Sequence, residues 1–242
     1  MARAFDDGSN QFLETTSTVV SAEPMTFSCL FNCDDGASAA GLVAVGAYSG
    51  DTTYLRILRL RGDQAGDPIS VQISGGGVAM TSNGYSVDTW HHAFGVFATP
   101  TSRTVILDGD IENKGISTTG VGQNPAHDAW IGALAYSSVY YSYMSGNIAE
   151  AAIWNAALTD NEGAILATGI SPLAVRPQSL SAYCPLFGRT SPEIDIVGGY
   201  DMTLVNAPTV AAHPRVIYPV LPIIIHAPAA YIPVIGPFPT FL

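Results

Sequence analysis

Four sets of side chains in this sequence are of types that can do chemistry or hold a ligand. They are the pair His91-His92, the cysteines Cys29, Cys33 and Cys184, the turn-type aspartates Asp6, Asp7, Asp108, Asp110 and Asp128, and the tyrosines Tyr136, Tyr140, Tyr141 and Tyr143. An imidazole activates a nucleophile only when one accompanies it, and none stands beside the histidine pair in the sequence, so His91 and His92 are read as structural. Cys29 and Cys33 lie four apart on an expected strand, about 13 Å from one another at the usual rise, too far for a mutual disulfide. Their ligand set is incomplete for zinc, and the three thiols are expected in the core. The five aspartates offer hard oxygens that suit calcium, or they are simply acidic turn residues. The four tyrosines, in the Ser/Tyr-rich stretch 136–145, offer either an aromatic rim for a sugar or amphipathic area for a protein contact.

The elements that must position these groups are strands. From residue 2 to about 205 short β-rich runs alternate with Gly, Asp, Asn, Ser and Thr clusters, and helical periodicity is nearly absent. Strands are expected over 12–14, 25–32, 41–47, 54–61, 69–74, 92–98, 103–107, 129–133, 146–154, 180–187 and 202–205. One short helix is expected over 159–168, capped by Thr159 or Asp160 and stopped by Gly169. Asp108-Gly109, between Val105-Ile106-Leu107 and Ile111, predicts an exposed tight hairpin. Arg56, Arg59 and Arg61 are read as the solvated face of one strand.

At 242 residues the chain suits one large sandwich. Of these residues 48% are hydrophobic and only 12% charged, against roughly 25% charged in an ordinary soluble domain, which leaves a surface that favours association. A net charge of −11 repels phosphates and argues against a nucleic-acid partner. The first ten residues lack the apolar core of a secretory signal, and no uninterrupted apolar run is long enough to span a bilayer, so synthesis in a cytosol and no membrane span are expected.

After residue 205 the composition changes, and from Val216 to Leu242 there is no Asp, Glu, Lys or Arg. Prolines at 219, 222, 228, 233, 237 and 239 exclude a continuous helix. The chain therefore divides into a sandwich over 1–205 and an extended apolar arm over 206–242. In a polyproline-like conformation at ~3.1 Å per residue the last 27 residues reach up to roughly 80 Å. Water is a poor environment for such an arm. Val216, Ile217, Tyr218, Leu221, Ile223, Ile224, Ile225, Tyr231, Ile232, Val234, Ile235, Phe238, Phe241 and Leu242 are expected to contact a partner, or else to fold back on their own sandwich.

Several pieces in order resemble the laminin-G-like or concanavalin A-like jelly-roll family. These are Ala4–Ser9 as first strand and turn, Met25–Ser28, Asp88-Thr89-Trp90-His91-His92-Ala93 as a "W-H-H" strand entry, Val105–Gly109, Trp130-Ile131-Gly132, and Gly146–Glu162 as closing strand and helix. The resemblance covers roughly residues 3–205 and implies an all-β, antiparallel two-sheet jelly roll. Trp90 is then expected to anchor the packed sheets, together with Trp154 in the closing strand, while one imidazole bonds a neighbouring turn. Relatives include lectins, calcium-binding modules, glycan hydrolases and structural domains, so activity rests on sites. Sandwich glucanases carry E-x-D-x-E, supplying a nucleophile and an acid. Here Glu193-Ile194-Asp195-Ile196 begins that motif, but Val197 and Gly198 stand where the second glutamate belongs. No enzyme and no required cofactor are expected, with calcium as the one candidate ion.

The scarcity of lysine and the apolar arm are similar to phage- or virus-encoded members of the family. That likeness implies a structural virion protein, a capsid decoration or tail-associated component, whose partners are other shell subunits or copies of itself. The alternative is a non-catalytic, lectin-like module that binds surface glycans, with or without calcium.

Overall fold

The computed structural model describes residues 1–48, 55–120, 126, 128–188 and 191–219. In chain order the strands are β1 (Ala2–Phe5), β2 (Phe12–Thr15), β3 (Met25–Cys33), β4 (Ala39–Gly46), β5 (Arg56–Arg61), β6 (Pro68–Ile73), β7 (Val78–Gly84), β8 (His91–Thr99), β9 (Ser102–Leu107), β10 (Gly115–Ser117), β11 (Asp128–Ile131), β12 (Leu134–Tyr136), β13 (Val139–Tyr141) and β14 (Gly146–Trp154). Helix α1 (Asp160–Ala167) follows, and then β15 (Leu180–Cys184), β16 (Thr203–Val205) and β17 (Thr209–Ala211). Two antiparallel sheets form a jelly-roll sandwich. One runs β10-β9-β8-β3-β14-β1-β17, with β15 also on β14; the other runs β16-β2-β11-β4-β5-β6-β7; β12 and β13 form a separate hairpin.

The period-two alternation of strand side chains accounts for three apolar layers. Between the sheets lie Phe27, Phe31, Phe97, Leu58, Val71 and Ile131. Outside the eight-stranded sheet, Phe94, Ile106, Trp154 and Tyr183 pack beneath Leu158 and Leu166. Outside the seven-stranded sheet, Phe12, Ala44, Ile57 and Trp130 pack with Ala133, Leu134 and Ala135 of the hairpin region. Helix α1 begins at a full capping box: Thr159 accepts from the Glu162 amide, and the Glu162 carboxylate accepts from the Thr159 amide. Gly169 ends it with φ of +86°, a conformation that favours glycine.

Several expectations are corrected by the packing. Trp90 belongs to none of the three layers and is only half-buried, because it precedes β8 and no strand alternation turns it inward. The fully buried tryptophans are Trp130 and Trp154, and Trp154 also donates from Nε1 to the Val175 carbonyl at 2.9 Å. Arg56 is not on a solvated face: its side chain and that of Glu23 are each 1% exposed and form a two-pronged ion pair at 2.8 and 3.2 Å. Residues three apart on a strand point to opposite faces, so Arg56 lies opposite Arg59 and Arg61. The Asp108-Gly109 turn forms, with Asp110 N bonded to Leu107 O at 3.0 Å, but the chain does not return at Ile111; β10 begins only at Gly115, opposite Val105.

The sheet also continues beyond residue 205. Strand β17 pairs with Ala2–Ala4, and Ile217 bridges Ile170 in parallel. Val216, Ile217 and Tyr218 therefore lie along their own sandwich, with Ile217 N donating to Gly169 O at 2.7 Å and Tyr218 Oη donating to Glu150 Oε1 at 2.9 Å. The remaining arm residues, Leu221, Ile223, Ile224, Ile225, Tyr231, Ile232, Val234, Ile235, Phe238, Phe241 and Leu242, lie outside the described residues. Among the described residues no helix is long and apolar enough to cross a membrane.

Candidate functional site

Residues directly opposite one another on antiparallel strands share a face, so the pairing register builds the outer surface of the seven-stranded sheet. One row runs Glu14, Trp130, Ala44, Ile57, Gln72 and Val78. A second runs Gly41, Arg59, Ser70 and Met80. The β12–β13 hairpin lies over Gly41: the Gly41 amide donates to Ser142 O at 2.8 Å, and a Cβ at Gly41 would come within 2.7 Å of the Ala133 backbone. The glycine thus lets the hairpin approach the sheet.

The hairpin brings aromatic rings together at one end of this face. Tyr140 packs on Phe12 at 4.4 Å between centroids and stacks on Tyr48 at 4.7 Å with an interplanar angle of 18°. Tyr143 meets Phe12 at 6.1 Å. Tyr140 donates to Glu14 at 2.6 Å, and burial together with that carboxylate raises its pKa, so the phenol stays a neutral donor. Tyr48 is fixed by Asp128, which accepts from its amide at 2.7 Å, and by the Ser138 carbonyl, which accepts from its hydroxyl at 3.0 Å. Tyr141 lies nearer Arg59; burial raises its phenol and the guanidinium opposes that shift. Tyr136 stands at the tip, 44% exposed.

Three of the four predicted tyrosines therefore converge, with Tyr48, Phe12, Glu14 and Arg59 as partners that the sequence reading did not pick. Trp130, fully buried, is the floor beneath them. The arrangement offers flat aromatic surface, a carboxylate acceptor, an amide and a cation on one sheet face, which is what a polyhydroxylated ring with an apolar side can use.

The other candidates are engaged locally. Asp6 accepts from Gly8 N at 3.0 Å and Ser9 Oγ at 2.6 Å, Asp110 holds Asn113 and Asn83, and Asp128 holds Tyr48, while Asp7 sits in the first turn beside Asp6. Among the described residues no three His, Cys, Asp or Glu side chains gather in a geometry that could hold a metal ion. Asp108 binds the His91 ring at 2.7 Å and the His92 amide at 2.7 Å; burial opposes ionisation, but these bonds keep its carboxyl below the ordinary value. His91 thus reaches the neighbouring turn.

The expectation that no hydroxyl accompanies the histidines is corrected: Ser28 Oγ lies 2.8 Å from His92 Nε2. This Ser–His contact is deeply buried beside a cavity of about 10 Å³, and His92 Nδ1 has no orienting partner. Burial lowers its pKa to about 4, making it a weak base. Next to it Glu150, at a bulge with φ of +55°, accepts from Tyr183 and Tyr218, and His213 Nε2 lies 3.0 Å away without hydrogen-bond alignment. The three thiols are free and buried, and burial raises each of their pKa values, Cys33 to about 11.

Glu193 and Asp195 are also spent on structure. Glu193 pairs with Arg3, and Asp195 accepts from four backbone amides. Neither carboxylate is free to attack or protonate a substrate. A cleft of about 430 Å³ is lined by residues 18–24 with Asn155 and Ser181, and the one ionisable side chain among these, Glu23, is paired with Arg56.

No curated protein matches the sequence. Among solved structures, a proposed carbohydrate binding protein from Bacteroides ovatus superposes with a TM-score of 0.59 at 16% identity, covering 86% of this chain and 61% of that one. The heptameric SAP-like pentraxin of Limulus polyphemus gives 0.54 at 13% identity, covering 65% of this chain and 75% of that one. At these identities the likeness is one of fold. The family model for the concanavalin A-like lectin/glucanases superfamily matches residues 7–162, more than half the sequence and running from β2 through the hairpin and β14 to the start of α1, and to that superfamily the chain belongs.

Proposed function

We propose that the protein is a non-catalytic glycan-binding module whose ligand lies on the outer face of the seven-stranded sheet. The observation that carries this reading is the Tyr48–Tyr140–Phe12 cluster, with Glu14 at one side and Gln72 and Arg59 farther along the face. Membership of a lectin/glucanase superfamily and the carbohydrate-binding designation of the Bacteroides ovatus structure support the ligand class. The engagement of Glu193 and Asp195 in structural bonds supports the absence of hydrolysis. The test is a glycan array followed by titration of the best ligand. Tyr140→Ala and Tyr48→Ala are each expected to weaken binding at least tenfold, about 1.4 kcal/mol, without changing the urea midpoint by much. An array with no reproducible ligand, or variants that bind as the parent does, would reject the reading.

A second reading concerns the arm. Tyr218, itself exposed, bonds Glu150 beside Tyr183 of the layer outside the eight-stranded sheet, whereas the tyrosine cluster lies outside the other sheet. An arm leaving from residue 219 would start on the side of the sandwich away from the candidate ligand face. This placement suits a module held by its arm on a particle such as a virion, among shell subunits or copies of itself, with the binding face turned outward. Removing residues 220–242 is expected to convert oligomers or aggregates into folded monomers in sedimentation velocity. Identical monomers with and without the segment would remove this reading and leave the first intact.

A further inference from the structure

The cation on the candidate face is bonded to no carboxylate among the described residues. Among the described residues Arg3, Arg56, Arg61 and Arg176 each pair with a carboxylate, and Arg103 donates to three backbone carbonyls. Arg59 differs. Its one hydrogen bond to protein runs from Nη2 to the neutral Gln72 side chain at 2.9 Å, and its Nε is buried without a partner. Burial, followed by the neighbouring Arg61 charge, lowers its pKa, and the smaller effects of Tyr141 and Asp63 oppose that shift without reversing it. Asp63, the nearest acid of the adjoining turn, is already occupied by Arg61 through two bonds at 2.7 and 2.9 Å.

The register sets the neighbours of this guanidinium. Directly opposite it on β6 is Ser70, fully buried and with a hydroxyl that also has no partner. On the other side its β4 neighbour is Gly41, over which Ser142 and the hairpin lie, with Tyr141 close enough to feel the Arg59 charge. A partly exposed guanidinium beside an amide and a phenol, with no carboxylate among the described residues bonded to it, matches an oxyanion. A chain of net charge −11 gains nothing in solubility by leaving a lone cation half-buried on a face rich in aromatic groups, whereas a bound anion would satisfy it.

We propose that Arg59, with Gln72 and Tyr141, forms a subsite for the anionic group of an acidic saccharide, a carboxylate or a sulfate ester, next to the tyrosines that hold the sugar ring. The proposal rests on the glycan-binding reading and adds the class of glycan to it. The excess of acids elsewhere opposes anionic ligands at long range, so selection must come from the short-range fork, and the preference should persist at 0.15 M salt, where the Debye length is about 8 Å.

The test uses the full chain on an array of matched saccharides: uronate oligomers and their methyl esters, and sulfated and unsulfated forms of one disaccharide. Binding of an acidic member at least tenfold tighter than its neutral match is expected, with the uronate and sulfate pairs showing which oxyanion is preferred. Arg59→Gln is expected to erase that preference, bringing its affinity for the acidic member down to its affinity for the neutral match, and Tyr140→Ala to weaken both. Equal binding of acidic and neutral members, or an Arg59→Gln protein that keeps the preference, would overturn the subsite and leave glycan binding standing. Binding of no member would overturn both. A urea midpoint close to the parent's shows that Arg59→Gln is folded.

Discussion

Replacing Asp195 with alanine is expected to destabilise the sandwich by about 4 kcal/mol, read as a lowered urea midpoint with an unchanged slope. The Asp195 carboxylate, 4% exposed, accepts from the amides of Tyr183 at 2.8 Å, Val197 at 3.0 Å, Gly198 at 3.1 Å and Tyr200 at 3.0 Å. Bonds to a charged acceptor are among the stronger kinds, and alanine would leave all four donors without it in a site that water reaches poorly. The consequence extends past the loop, because Ile196 N also bonds Tyr183 O at 3.0 Å and the segment thereby lies along β15. Asp195→Asn keeps one carbonyl acceptor but turns an amine toward two of the donors, so it should lose more than half as much. A change under 1 kcal/mol in the alanine variant would show that the loop satisfies itself without the carboxylate.

The same residue shows what was legible in the sequence. The E-x-D-x-E pattern begun at Glu193 lacks its second glutamate, and Ser191-Pro192 and Gly198-Gly199 on either side are residues of a loop, which Glu193 and Asp195 do occupy. It gave no sign that Asp195 organises that loop, because its partners are backbone amides, which no side-chain pattern records. The β14 strand was legible from its apolar run and its likeness to the family's closing strand, and α1 from the cap residues Thr159 and Asp160, between which the structure selects Thr159 and adds Glu162 as the second half of a capping box. The β12–β13 hairpin was not: its turn uses Ser137 and Ser138 at positive φ, without the glycine that marks such turns, so the segment reads as a loop. Tyr140 and Tyr143 could be picked as exposed-type aromatics, but their stacking on Tyr48 and Phe12 is set by the pairing of β11 with β2 and β4 across about a hundred residues of chain, which spacing does not encode. Arg59 was visible as a charge on β5; that no carboxylate among the described residues bonds it follows only from where Asp63 and Glu23 spend theirs.

Acidification should expose the buried imidazole as a second point of weakness. His92 is 3% exposed, hydrogen-bonded through Nε2 to Ser28 alone, and burial holds its pKa at about 4 although the Asp108 charge acts to raise it. An unfolded imidazole titrates near 6.5. Between those two values the unfolded chain binds a proton that the folded chain refuses, so stability rises with pH across this window and falls as pH drops through it. The loss through His92 alone is about 2.5 kcal/mol by pH 4.5 and about 3 kcal/mol once pH falls below 4. Asp108, whose carboxyl is held low by its bonds from His91 and the His92 amide, adds a loss in the same direction at lower pH. Urea midpoints at pH 7.0, 5.5 and 4.5 should therefore slope steeply for the parent and less steeply for His92→Gln, which cannot take up a proton. The variant is expected to be less stable at pH 7.0 yet to lose about 2.5 kcal/mol less on going to pH 4.5. The difference between the two slopes isolates the imidazole, since every carboxylate is common to both proteins. Parallel slopes would mean that His92 takes up its proton in the folded state as readily as in the unfolded one, and that its contact with Ser28 opens to water.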